Sequence, residues 1–319
     1  MEQCPIEIWM RIFSLACTDE GNTGRSLSQV SRYVHQISSP VKLQSVVLIG
    51  VDQLHAFADM LERTQAELRR VRHLCVSHHN LSTSKYRAIG LTGRRKVFEE
   101  QLTRVLGIVA PTLQSLTLNV GALWPLVLHI VDFPILEELT LQGSFLLPPT
   151  LLQDGSPVVQ PFPSLKRLHL LGCSDFFLAF IGQAPRLTHL RLTGAMSFHQ
   201  RTREVLFKML FPSEEESSFG EHGESFAEMT DFVLPHIERI IIQPPSGIAI
   251  KRMTRTEFLR NLARSDKLVI LRVDSVMHAY DFSKAKQHWL ERIEGEDGCW
   301  RTGIVEVERL HRSLAYLSP

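Results

Sequence analysis

The chain has 319 residues, 44% of them hydrophobic, which is enough to bury a sizeable core in one large or two ordinary domains. Lys and Arg number 35 against 34 Asp and Glu, a net charge of +1, so no overall field draws the chain to nucleic acid or an anionic membrane, and neither is expected as a partner. The five cysteines are scattered and odd in number with no C-x-x-C pair, which argues against a disulfide framework or a zinc site and suits the reducing cytoplasm or nucleus.

Met1 to Pro5 lacks the basic region of a secretory signal, and the most apolar window, Ala122 to Val131, is short and interrupted by Pro125 and His129, so no targeting or spanning segment is expected. The first element is a helix: Cys4 to Ala16 reads C-P-I-E-I-W-M-R-I-F-S-L-A, with Pro5 placed for the first turn. Its apolar residues Ile6, Ile8, Trp9, Ile12, Phe13, Leu15 and Ala16 cover far more than one face, so the helix needs two partners. A polar turn follows from Asp19 to Arg25, then Ser26 and Gln29 at capping-box spacing start a second helix with a narrower stripe of Leu27, Val30, Val34 and Ile37. Some forty residues cannot supply a self-sufficient core, so part of this surface is expected to rest on another chain or on the rest of this one.

These residues resemble the F-box, a motif that opens with Leu-Pro, an acidic residue and Ile, carries an Ile-Phe pair and closes on a Val-Ser-Arg type segment. Here Pro5-Ile6-Glu7-Ile8, Ile12-Phe13 and Val30-Ser31-Arg32 match, while Cys4 replaces the first Leu and Val34 stands where Trp or Phe is usual. The resemblance covers residues 2–43 and implies docking on the Skp-type adaptor, and through it a cullin, by way of Pro5, Ile6, Ile8, Ile12 and Phe13. The residues alone also permit an amphipathic helix that caps the end of whatever follows.

From residue 43 one phrase recurs. Aliphatic residues at positions 1, 4 and 6 begin at residues 43, 71, 113, 136, 165, 187, 237 and 268, and four copies read P-x-L-x-x-L-x-L outright, as in Pro111-Thr-Leu-Gln-Ser-Leu-Thr-Leu118. Positions 4 and 6 share one face of an extended strand and positions 3, 5 and 7 the other, which predicts one core face and one wet face. Pro stands two residues before five copies, and Gly50, Gly143, Gly172 and Gly194 stand two residues after four, as a strand entered from a stopped helix and left by a turn requires. Between copies the period changes to that of helices: Leu54, Phe57, Ala58, Leu61 and Leu68 form one stripe, Val97, Phe98, Leu102, Val105, Leu106 and Val109 another, and Thr254 with Glu257 has capping-box spacing ahead of Phe258, Leu259 and Leu262.

This region resembles the leucine-rich repeats, in degenerate form. The resemblance implies an α/β solenoid over residues 44–275 whose parallel strands line a concave face, with residues 276–319 as a helical cap or tail and residues 212–231 as an acidic, solvated insertion. A compact α/β domain with a parallel sheet is the alternative fold.

Motifs for a nucleophile elbow, phosphate loop, dinucleotide fold or zinc helix are absent from the sequence, so no catalysis and no cofactor is expected. His73, His78 and His79 lie together without an acidic or thiolate partner at ligand spacing, and Gly93-Arg94-Arg95-Lys96 reads as the solvated start of a helix. The two resemblances together imply a substrate-selecting subunit of a Skp/cullin/F-box ubiquitin ligase, and a free-standing repeat scaffold is the other reading. On the outward positions of the strands, Arg167, His169, His189, Arg191 and Arg239 are expected to form one basic cluster suited to an acidic or phosphorylated target.

Overall fold

Asp19 decides where the second helix begins. In the structure, a computed structural model that describes residues 4–78, 90–127, 131–146, 162–172, 177–194, 198, 200–212, 236–243, 262, 264–271 and 281–301, its carboxylate accepts the backbone N–H groups of Gly21 (2.9 Å) and Thr23 (2.8 Å) and the Thr23 hydroxyl (2.8 Å). Helix α2, Asn22–Val30, therefore starts four residues before Ser26, which lies inside it. Ser31 then takes extended dihedrals and its hydroxyl accepts the Val34 N–H at 3.1 Å, so the apolar stripe expected of one helix is divided between α2 and α3, Arg32–Ser38. With α1, Ile6–Ala16, these helices enclose a small core of Phe13, Val34 and Ile37, flanked by Trp9, Met10, Leu27 and Val41.

The chain forms two compact units, residues 1–148 with 280–301 and residues 149–279 with 302–319. In the first unit four strands run parallel in chain order: β1 Ser45–Ile49, β2 His73–Ser77, β3 Ser115–Val127 and β4 Glu138–Leu146. Their register aligns Val46, Leu74, Leu116 and Leu139 in one row and Leu48, Val76, Leu118 and Leu141 in the next, which are positions 4 and 6 of the repeat. The connections from β1 to β2 and from β2 to β3 are helical. Helix α4, Gly50–Arg63, buries Val51, Leu54, Phe57, Ala58 and Leu61, while Leu68 falls in a separate short turn; α5, Gly90–Val109, buries Phe98, Leu102, Val105, Leu106 and Val109. Arg104 of α5 reaches across to Asp59 (3.0 Å) and Glu62 (2.8 Å) of α4, and its hydrogen bonds hold both carboxyls below their ordinary range. The Arg95 of the basic cluster pairs with Glu99 one turn on, at 2.8 Å.

The second unit repeats the plan with β5 Arg167–Leu171, β6 His189–Thr193, β7 Arg239–Gln243 and β8 Leu268–Ile270, again parallel. Leu168, Leu190 and Ile240 align, as do Leu170, Leu192 and Ile242. The last copy departs from expectation: Leu268, not Leu271, stands beside Ile240, a displacement of three residues. No Pro precedes it, and a turn from Ser265 to Leu268 delivers the chain into the strand earlier. Helices α6, Phe177–Ile181, and α7, Gln200–Leu210, belong to this unit; α7 buries Val205, Leu206, Phe207, Met209 and Leu210. The Thr254–Glu257 spacing with Phe258 and Leu259, the insertion beyond Pro212, and His79 lie outside the described residues.

Gly50, Gly172 and Gly194 adopt positive φ (81°, 78° and 78°) where the chain leaves its strand, as their lack of Cβ allows, whereas Gly143, expected at such a turn, has φ 127° within β4, which continues to Leu146. The architecture is α/β, with parallel strands and helices between β1 and β2, β2 and β3, β5 and β6, and β6 and β7. Helix α2 approaches the backbone so closely that a Cβ on Gly24 would lie 2.1 Å from the Lys42 carbonyl oxygen, whereas one on Gly107 of α5 would meet nothing within 4 Å. Gly24→Ala is therefore expected to destabilise the protein by roughly 1–3 kcal/mol and Gly107→Ala to stabilise it by up to about 1 kcal/mol, opposite shifts of the denaturation midpoint from one chemical change.

Candidate interaction surfaces

Helix α1 carries two apolar stripes. Trp9, Met10 and Phe13 face the core of the helical module, whereas Ile8, Ile12 and Leu15, spaced four and three residues apart, lie along the other side and are 50%, 46% and 64% exposed. Ile6 and Pro5 are exposed beside them, and Val30 and Tyr33 add apolar surface from the following helices. Of the five positions expected to dock an adaptor, four are thus presented to solvent. Phe13 is not: at 5% exposure it packs on Val34 and Ile37, with its ring centroid 5.5 Å from that of Trp9, so its place is in the module's own core.

The module is held to the strands by polar bonds. Ser14 Oγ donates to Gln44 Oε1 (2.8 Å), Gln44 Nε2 donates back to the Ser14 carbonyl (3.0 Å), Ser45 Oγ donates to the Asp19 carbonyl, and the Val47 N–H reaches Glu20 O (3.3 Å). These bonds leave the Ile8–Ile12–Leu15 stripe uncovered by any described residue.

The outer face of the strands differs from the wet face expected. Position 5 is buried at Cys75, Thr117, Thr140, His169, Arg191 and Ile241. In the second unit the register does bring the basic residues together, Arg167 beside His189 beside Arg239, and His169 beside Arg191. Yet His169 is 0% and Arg191 4% exposed: Thr193 Oγ1 lies 2.9 Å from His169 Nε2 and 3.2 Å from Arg191 Nε, and Arg191 Nη2 donates to Gln243 Oε1 at 2.6 Å. A guanidinium withdrawn from water needs such acceptors, and here they come from its own strand and the next. The central pair of the expected target cluster is therefore committed internally; Arg167, His189 and Arg239 keep partial exposure.

In the first unit the covering element lies in residues 276–319, the stretch expected as a helical cap or tail. Helix α8, Phe282–Ile293, is capped by Asp281, whose carboxylate accepts the Lys284 N–H at 2.9 Å, and it buries Ala285 and Trp289. A short turn, Gly298–Trp300, follows. Glu138, at position 3 of β4, accepts Arg292 Nε through one oxygen (2.9 Å) and Trp300 Nε1 through the other (2.9 Å), and Lys286 Nζ reaches Glu20 at 2.6 Å. Ser115, Thr117, Glu138 and Thr140 line the seam beneath α8, which leaves a cavity of about 10 Å³, room for roughly one water. The spacing of Asp281, Ala285 and Trp289 was available as a helix signal; which surface it covers was not.

Other candidate chemistry is dispersed. Burial, with a smaller contribution from Arg72, lowers the His73 imidazole to about 4, and its Nδ1 hydrogen-bonds with Ser115 Oγ at 2.9 Å, while His78 stacks edge-on against Phe98, centroids 4.9 Å apart. Burial pushes the Cys17 thiol up to about 11 and the Cys75 thiol further, so neither is a nucleophile near neutral pH. Among the described residues no group of three His, Cys, Asp or Glu is placed to hold a metal, and no helix is long and apolar enough to cross a membrane.

Because folding keeps His73 neutral, the unfolded chain gains a proton below pH 6.5 that the folded chain refuses until about pH 4. Its contribution to stability is complete above pH 6.5 and is lost as the pH falls through that window, by up to about 3 kcal/mol. Urea denaturation at a series of pH values should show this slope in the wild type and a shallower one in His73→Gln.

No protein-family model matches the chain, and no curated protein matches its sequence.

Proposed function

We propose that the chain is a substrate-selecting subunit of a Skp/cullin/F-box ubiquitin ligase, with α1 to α3 as the F-box-like module and the strand and helix array as degenerate leucine-rich repeats. One observation carries the reading: α1 turns Phe13 inward to complete a core and still presents Ile8, Ile12 and Leu15 to solvent beside Pro5 and Ile6. An exposed aliphatic stripe on a helix that is already cored suits an obligate partner, since burying it on association stabilises by about 25 cal/mol per Å². The alignment of four repeat copies in the first unit, and separately of three in the second, into two aliphatic rows each supports the second half of the reading.

The work of such a subunit is positional. Its helical module is held on the adaptor and its repeats hold a protein target, so the effective concentration of target lysines near a charged ubiquitin-conjugating enzyme rises without the chain touching the chemistry.

The test separates docking from folding. Ile8→Asp with Ile12→Asp places charges on a surface already exposed in the free protein, so melting should be unchanged while capture of a co-expressed Skp-type adaptor falls at least 100-fold, equivalent to about 3 kcal/mol. Phe13→Ala should lower both, because it opens a cavity in the module's core and costs about 3–5 kcal/mol of stability. Wild-type adaptor capture by the Ile8→Asp, Ile12→Asp protein would overturn the assignment and leave a repeat scaffold without a ligase.

A further inference from the structure

We propose that residues 281–301 are an internal ligand: α8 and the turn after it occupy, in the resting chain, a face of β2 to β4 that receives a partner segment bearing a guanidinium and an indole. The proposal rests on the strands being the target-bearing surface, and not on adaptor docking.

Four observations converge on it. First, the chain leaves the first unit at Pro148 and returns at Tyr280 to cover it, so the cover is a late segment joined through the second unit and not part of the strand-helix succession beneath. Second, the face it covers is largely polar on β3 and β4, with Cys75 of β2 beside Thr117. Ser115, Thr117, Glu138 and Thr140 line the seam, while the opposite side of the same two strands carries Leu116, Leu118, Leu139 and Leu141. Hydroxyls and a carboxylate are readily rehydrated when the cover departs; a leucine face is not.

Third, the cover is attached by directional bonds of one polarity. Acidic groups sit on the receiving side, Glu138 and Glu20, and the donors, Lys286, Arg292 and the Trp300 indole, sit on the covering side. Glu138 binds two donors through its two oxygens, the Arg292 guanidinium through one and the Trp300 indole N–H through the other, so the site takes a cation and a neutral N–H side by side. Fourth, the segment is short and its buried side chains are few among the described residues: Ala285 and Trp289 from α8, and Cys299 and Trp300 from the turn.

The turn is built to bring both donors to one carboxylate. Gly298 has φ +52°, and a Cβ there would lie 2.6 Å from the His288 carbonyl oxygen and 2.7 Å from the Arg292 side chain, so only glycine lets the turn fold back onto α8 and set Trp300 beside Arg292. A side chain at residue 298 therefore loosens the cover without altering the face it leaves.

The experiment needs no truncation. Native-state hydrogen exchange on the wild-type full chain should show α8 amides exchanging through a local opening at least tenfold faster than those of β3. A labelled synthetic peptide of residues 281–301 should bind the Arg292→Glu and Gly298→Ala full chains at least tenfold more tightly than wild type, whose own segment competes. Glu138→Arg alone, which sets two cations against each other and so opens the cover, should fail to bind that peptide and should bind a peptide carrying Arg292→Glu. Exchange of α8 only together with β3, or failure of both loosened chains to take up the peptide while they melt cooperatively, would overturn the proposal and make the segment an integral part of the fold. Adaptor capture read on the same samples reports separately on the α1 stripe.

Discussion

A parallel register leaves each residue one fixed neighbour on either side, and in this protein the row that matters runs Val46, Leu74, Leu116, Leu139. Two residues further on, a second row runs Leu48, Val76, Leu118, Leu141. The two rows give α4 and α5 an apolar floor on which Leu54, Leu61, Leu102 and Val105 lie wholly or almost wholly buried. A slip of one residue in any strand would exchange leucines for Ser115, Thr117 and Glu138 and empty that floor. The prolines ahead of strands and the left-handed Gly50, Gly172 and Gly194 behind them help hold the register, because they set where a strand starts and stops.

The helical module depends on that platform. Three buried residues, Phe13, Val34 and Ile37, are a small core for three helices, and the reciprocal Ser14 and Gln44 bonds tie it to the first strand at its edge. Since the ties are polar and lie on the inner side, the aliphatic stripe on α1 is not consumed in making them. Stability and presentation are divided between opposite sides of one eleven-residue helix.

The strands were legible because their signal has period two and repeats; seven of eight copies pair as their sequence predicts. The same period says which residues share a side and nothing about what lies over that side, so the burial of Thr117, His169 and Arg191 could not be read from it. Adjacent residues of a motif point in different directions for the same reason: Ile12 and Phe13 stand together in the sequence and are separated by a turn angle of about 100°, which puts one outside and one inside. Ser26 and Gln29 imitate a capping box, but Asp19 had already supplied the first acceptors, and a helix starts at the earliest residue that satisfies its N–H groups. The tie from Arg292 to Glu138 joins residues far apart in the chain, and no local pattern carries such a pairing.

The first unit is completed by residues 280–301, which are synthesised only after residues 149–279 of the second. While Pro149 to Ala279 is being made, at about 5–20 residues per second, β1 to β4 have emerged and their outer side has nothing to cover it for on the order of ten seconds. During that interval the nascent chain carries exposed Glu138 and a row of hydroxyls on one side and, once α4 and α5 have closed, no bare leucine floor on the other. A polar outer side is therefore also a safeguard in translation: an apolar one, waiting that long for its helix, would be an aggregation template on the ribosome.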